Sequence, residues 1–286
     1  MTTRTLQRRI RAIDTADGAG VRLRRSLGQR PDSRLDPFLM LDEFASDDPN
    51  DYAAGFPSHP HRGFETVTYM LEGHLLHEDH LGNRGHLAAG GAQWMTAGRG
   101  IIHSEMPQQV EGRMHGFQLW INLPAREKMK PGGYRDVPAG EIPQAPLPGG
   151  GRVRVLAGTL DLGDRRLDGP ITGISTDPVF MDVTLPAGSR FAAPIPADHH
   201  ALVYVFEGSI RVGTQDRTDA VDAPQAGLLG PGDSVQVHTG AEPARLLLLA
   251  ARPLNEPVVQ YGPFVMNSRE EIEQALADYQ AGTLTG

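Results

Sequence analysis

Apolar and polar residues alternate in short runs of period two along most of the 286-residue chain. Such runs mark half-buried β-strands, whose successive side chains point to opposite faces. Two runs end alike: "TVTYMLEGHL" (Thr66 to Leu75) and "LVYVFEGSIRV" (Leu202 to Val212) each read as strand, Glu-Gly turn, strand. Further on, "HLAAGGAQWMTAGRG" has its counterpart in "GLLGPGDSVQVHTGAE", a glycine-centred turn feeding another alternating strand. The repetition predicts two duplicated β units of similar size. Between them, from Pro131 to Gly151, periodicity gives way to Pro and Gly, which predicts a linker or long surface loop. The partition is therefore a first domain over 1–135, a Pro/Gly-rich linker over 136–150 and a second domain over 151–286.

One segment has the helical period instead. In "NSREEIEQALADYQAG", Ser268 is an N-cap with Glu271 three residues on, Ile272, Leu276 and Tyr279 share a face, and Gly282 is a stop. This predicts a carboxy-terminal helix of about three turns, packed on the outside of the second β unit with a structural role.

Composition agrees with many short strands, since 34 Gly and 23 Pro are spread along the chain between apolar runs. The 27 basic side chains against 35 acidic ones give a net charge of -8, which argues against a phosphate-binding surface and so against direct nucleic-acid binding. The Arg-rich amino terminus is interrupted by Asp14 and Asp17 and reads as a surface strand pair. No apolar run reaches the roughly 18 residues of a membrane span. With no Cys there are neither disulfides nor thiolate ligands, and a cytoplasmic location is expected.

The chemistry gathers in "SHPHRGFETVTYMLEGH" and "TAGRGIIHSEMP". His59 and His61, two apart on a strand, project to one side, and so do His103 and Glu105 behind a Gly-rich turn. The 42 residues from His61 to His103 leave room for a hairpin that returns the chain beside the first pair in a small antiparallel barrel. Three imidazoles and one carboxylate suit a divalent first-row metal and leave octahedral positions open; iron(II) is the first choice, with manganese, nickel, copper and zinc open. Glu65 has the parity of His59 and His61 and is assigned as acceptor for a ligating imidazole, with a fifth ligand or a salt-bridge acid as alternatives. Gln118 and Trp120 share a strand face, so Gln118 either lines a cavity or belongs to a half-buried core strand. His74, His77 and His80 are spaced by three and are read as an exposed hairpin from which at most one reaches the pocket.

"GVRLRRSLG", "LDPFLMLDEF", "GFPSHPHRGFETVTYMLEG", "MTAGRGIIHSEMP", "QLWINLP" and "GPFVMNSREEIEQAL", in that order, resemble the signature blocks of the pirins, a family in the cupin superfamily. The resemblance implies an all-β bicupin, two cupin-type antiparallel β-barrels with a short carboxy-terminal helix. It also implies one iron in the first, held by residues matching His59, His61, His103 and Glu105. Some pirins open quercetin with O₂, whereas others act as transcription cofactors or modulators of metabolic enzymes. The expected function is thus a flavonol 2,3-dioxygenase activity on a flavonol-like aromatic substrate and O₂, with Glu105 as base. The alternative is an iron-dependent regulator that binds a protein partner, for which Arg22, Arg24 and Arg25 are a candidate basic patch. Sliding the first half onto the second sets His59 on Pro194, His61 on Pro196, His103 on Arg245 and Glu105 on Leu247, so one metal site per chain is expected.

Overall fold

Both Glu-Gly turns form as the pattern predicts. In the computed structural model, which describes residues 1–214 and 217–286, the strand Phe64–Glu72 turns through Gly73 into His74–Asp79. In the second half His200–Glu207 turns through Gly208 into Ser209–Thr214. Both glycines have positive φ, 98° and 72°, where a side chain would be strained.

The chain folds into two all-β units, each a pair of antiparallel sheets of seven and four strands. The unit that carries the histidine motifs comprises Ile13–Gln29, Phe38–Gly140 and Leu254–Gly286. Its seven-stranded sheet runs Gly133–Val137, Ala92–Thr96, Phe64–Glu72, Met114–Asn122, Phe38–Ser46, Val21–Arg25, Ile13–Asp17. Its four-stranded sheet runs Phe56–His61, Ile101–Pro107, His74–Asp79, Arg84–Ala88. These are open sandwiches and not closed barrels, because each sheet ends on free edge strands; the two-cupin, all-β class with one short helix holds. The other unit, Met1–Ala12, Arg30–Pro37 and Glu141–Pro253, repeats the plan. Its interior is aliphatic, with Val183, Val203, Leu246 and Leu248 of one sheet in a cluster with Ile210, Val212, Val235 and Val237 of the other. The first unit has an apolar cluster of its own around Phe44, Met70, Leu75 and Leu87, yet it also buries His61, His77, His103, Glu105 and Thr68. Burying polar side chains is costly unless they are partnered, so this gathering of buried histidines with a carboxylate marks the candidate site.

Three boundaries differ from the sequence partition. Leu6–Arg11 pairs with Gln225–Leu229 and belongs to the second unit. The segment 136–150 is no free linker: Gly133–Val137 is an edge strand on Ala92–Thr96, Gln144–Pro146 is one on Arg152–Ala157, and Val137, Ile142, Ala145 and Leu147 are buried. Pro and Gly there reflect edge position, where a missing backbone donor is tolerated. Finally, the helix Arg269–Gln280 forms with the expected reciprocal cap, Ser268 Oγ accepting from Glu271 N–H and Glu271 Oε2 from Ser268 N–H. It packs with its Ile272 and Ala275 on Phe264 and Met266 of the unit that carries the histidine motifs, and not on the second one. It is the only helix of that kind among the described residues and is too short to cross a membrane.

Candidate metal centre

The strand Ile101–Pro107 lies between Phe56–His61 and His74–Asp79, and its register sets His103 directly opposite His59. Against Phe56–His61 the register slips after His103 and brings Glu105 opposite Phe56, while the unbroken register against His74–Asp79 sets Glu105 opposite His77. Pairing alone therefore gathers His59, His61 and His103, and one ring nitrogen from each lies within 4.8 Å of the others.

The protonation pattern suits a cation. His59 Nδ1–H donates to the Pro57 carbonyl at 2.8 Å, which leaves Nε2 with its lone pair. That Nε2 lies 3.0 Å from His61 Nε2, and two ligands at right angles, each roughly 2.1 Å from a metal, stand about 3.0 Å apart. His103 Nε2 is buried with no hydrogen-bond partner. Burial, with His59 beside it, pushes His61 well below the ordinary imidazole range, and burial with His61, His59 and His77 nearby does the same to His103. Both are neutral donors at pH 7, and the three imidazoles fit a divalent metal.

Glu105 stands outside the group of three nitrogen donors. Its carboxylate accepts from the Thr68 hydroxyl at 2.7 Å and from Gln118 Nε2 at 3.0 Å, both on the facing seven-stranded sheet. Gln118 also lines the wall of a cavity, and Trp120, on the same strand, meets the His61 ring edge-on at 5.2 Å. Glu65 is the correction. Its carboxylate accepts from Thr96 Oγ1 at 2.7 Å and lies 3.6 Å from Lys130 Nζ, so it is not the acceptor for a ligating imidazole. Parity from His61 does not reach it, because Arg62 and Gly63 carry the chain from the four-stranded sheet into the seven-stranded one.

The sequence reading let at most one of His74, His77 and His80 turn inward without choosing among them, and in the structure His77 is the buried one. It is 2 % exposed, not on an exposed hairpin face, and its Nδ1 is 3.3 Å from His103 Nδ1. The supporting frame behind His61 was also hidden: Arg62 donates to the carbonyls of Arg99 and Leu284 and pairs with Asp278 at 2.6 Å. Lys128 Nζ, buried, donates to Gly63 O, Asn122 Oδ1 and Val265 O.

A cavity of about 590 Å³ opens on His59 and His61. Leu23, Met40, Phe44, Phe56 and Trp120 give it apolar walls, with Gln118 and the Arg25–Asp42 pair as polar points. Arg25 grips Asp42 in two-point fashion at 2.8 and 2.6 Å, and burial pushes the Asp42 carboxyl above its ordinary value against that pull. The arginines of the candidate patch are all paired, Arg22 with Asp51, Arg24 with Asp14 and Glu43, Arg25 with Asp17 and Asp42. In the second unit the strand corresponding to Ile101–Pro107 is Ser234–Thr239, not the Ala244–Ala251 strand that holds Arg245 and Leu247. Among the described residues it contributes to no three-donor cluster.

Residues 20–121 match the family model for Pirin and residues 180–285 that for the Pirin C-terminal cupin domain. A Pseudomonas aeruginosa protein named "Putative quercetin 2,3-dioxygenase" is 56% identical over 270 residues, 94% of each chain. Human Pirin is 42% identical over 270 residues, 93% of this chain and 89% of its own. The crystal structure of quercetin 2,3-dioxygenase from Acinetobacter baumannii superposes with a TM-score of 0.89 at 32% identity over 99% of both chains.

Proposed function

The chain belongs to the pirin family, and from that premise we propose that it is a metal-dependent dioxygenase of the quercetin 2,3-dioxygenase type, acting on a flavonol-like substrate and O₂. The observation that carries this reading is the cavity of about 590 Å³ open to His59 and His61, within the size range of small-molecule sites. A regulator that docks through a basic face over a sealed metal is less well supported, since the cavity is open and the arginines beside it are paired with carboxylates.

On this reading His59, His61 and His103, with Glu105 as the fourth group, hold one metal, iron(II) before manganese, nickel, copper or zinc. Bound there, it supplies a Lewis acid that favours the ionised form of a substrate hydroxyl and activates the ring toward O₂. The chain does the rest. Phe44, Phe56, Trp120 and Met40 sandwich a flat ring system and exclude water. Glu105, bound to or beside the metal, takes the proton of the flavonol 3-hydroxyl on a carboxylate oxygen. Gln118 and Thr68 fix the direction of that carboxylate.

The test is to purify the protein, measure bound metal by mass spectrometry and follow the quercetin absorption band under air and under nitrogen. Loss of the band in air alone, scaling with metal content, is expected. Metal present with no oxygen-dependent loss would overturn the enzymatic reading and favour the regulatory one.

A further inference from the structure

Behind His103 lies an arm of side chains that the reaction outlined above does not use. His77 sits on the strand His74–Asp79, paired on one side with Ile101–Pro107, with His77 opposite Glu105 and Asp79 opposite His103. Its Nδ1 is 3.3 Å from His103 Nδ1, and its Nε2 is 3.4 Å from Asp79 Oδ2. The side chains of His77 and Asp79 are 2 % and 0 % exposed. Asp79 is itself fixed from the other side: Oδ1 accepts from the backbone N–H groups of Leu81 and Asn83 and Oδ2 from Asn83 Nδ2, all within 3.0 Å. The Tyr134 ring stacks on His77 at 4.2 Å and 20°, and its hydroxyl donates to Asp136, so His77 cannot swing away.

With His77 neutral, one proton arrangement satisfies every contact. Asp79, an acceptor, requires the proton of His77 on Nε2, which leaves His77 Nδ1 an acceptor. His103 must then carry its proton on Nδ1, and its Nε2 is left with a lone pair, the atom that is buried without a partner. We propose that His77 and Asp79 are the positioning arm of the metal centre, with His77 fixing the tautomer and ring angle of His103 and Asp79 fixing His77. This rests on the reading of His59, His61 and His103 as metal ligands, and it assigns to the ligating imidazole the outer acceptor such groups use. Glu65 was the sequence's choice for that part; the structure gives the place to a histidine and a carboxylate on the neighbouring strand.

The experiment measures metal binding, not turnover. Metal-free wild-type protein, His77→Leu, His77→Gln and Asp79→Asn are titrated with cobalt(II) by calorimetry with chelator competition, and the visible spectrum of each cobalt form is recorded. His77→Leu should weaken cobalt roughly 10–100-fold, the usual cost of losing such a partner. His77→Gln, whose amide oxygen can accept from His103 Nδ1–H, should recover most of that loss, and Asp79→Asn should fall between. Thermal midpoints of the metal-free forms control for folding. If wild type and His77→Leu bind cobalt equally, or if Gln rescues no better than Leu, the positioning role is wrong. If His77→Leu does not fold, the Gln and Asn variants decide: an Asp79→Asn affinity equal to wild type overturns the arm. Failure of wild type itself to bind cobalt, with His103→Ala as its match, would instead overturn the metal-centre reading.

Discussion

Replacing Lys128 by Met should lower stability at pH 7 and abolish a rise in stability that the wild type shows between pH 8 and 10. Nζ is buried and makes three hydrogen bonds, of 2.7 Å to Gly63 O, 2.6 Å to Asn122 Oδ1 and 2.9 Å to Val265 O. Burial lowers its pKa from 10.5 to about 8, opposed by Glu256 and Glu271. Below pH 8 the folded and unfolded chains both hold the proton, and the folded one bears the cost of the buried charge. From pH 8 to 10.5 the unfolded chain binds more protons, so stability rises with pH. The displacement corresponds to about 3 kcal/mol over that window. In Lys128→Met the titration is gone and three acceptors are orphaned, so the variant should be roughly 2–4 kcal/mol less stable at pH 7. The gap should then widen as pH rises. Urea unfolding of both proteins at pH 7, 8, 9 and 10 reads this in the difference between them, where the six tyrosines and Lys130, which titrate in the same range and are common to both, cancel. Parallel stability curves from pH 8 to 10 would refute the burial argument.

Gln118→Leu removes one donor to the Glu105 carboxylate; a hydrogen bond to a charged group contributes about 1.5–3 kcal/mol, so turnover of quercetin should fall roughly 10–150-fold with metal content unchanged. A drop of less than threefold would show that Gln118 does not hold the base. Gly63→Ala should cost more than about 3 kcal/mol in urea unfolding, because φ is +93° and an added Cβ would sit 2.0 Å from the Val265 carbonyl oxygen. A wild-type midpoint would count against that geometry. Asp278→Ala leaves the buried Arg62 guanidinium short of its carboxylate and should cost on the order of 1–2 kcal/mol at pH 7. Arg62 and Gln274 hold Asp278 below the ordinary carboxylate value, so its contribution is present above pH 3.8 and fades as pH falls through the lowered value. The wild-type advantage in unfolding midpoint should shrink on acidification, and a constant difference would contradict the pairing.

What the sequence disclosed was local. Side-chain alternation fixes which residues of one strand share a face, so His59 with His61, and Gln118 with Trp120, could be paired before any fold was known. Three histidines meeting needed one further step, the return of a hairpin, which the glycine turns signalled. The failures arise where orientation depends on a partner strand or a break. Glu65 was carried by parity across Gly63, whose positive φ ends one strand and begins another in the facing sheet. His77 points inward because of its register against Glu105, and three-residue spacing from its neighbours holds no information about that. The helix Arg269–Gln280 announces its own ends through Ser268 and Glu271 and its apolar face through Ile272, but an apolar face does not say which unit covers it. Arg62 and Lys128 look like ordinary surface cations until the segments they tie are brought together.

The return of Leu254–Gly286 to the unit that begins near Ile13 sets an order of events during translation. His59, His61 and His103 are synthesised long before Val265, Asp278 and Leu284, the groups that receive Arg62 and Lys128. The frame behind the histidine cluster is therefore completed late in synthesis, and a chain cut before Val265 would carry all three histidines without the groups that brace the segment joining their strand to the facing sheet.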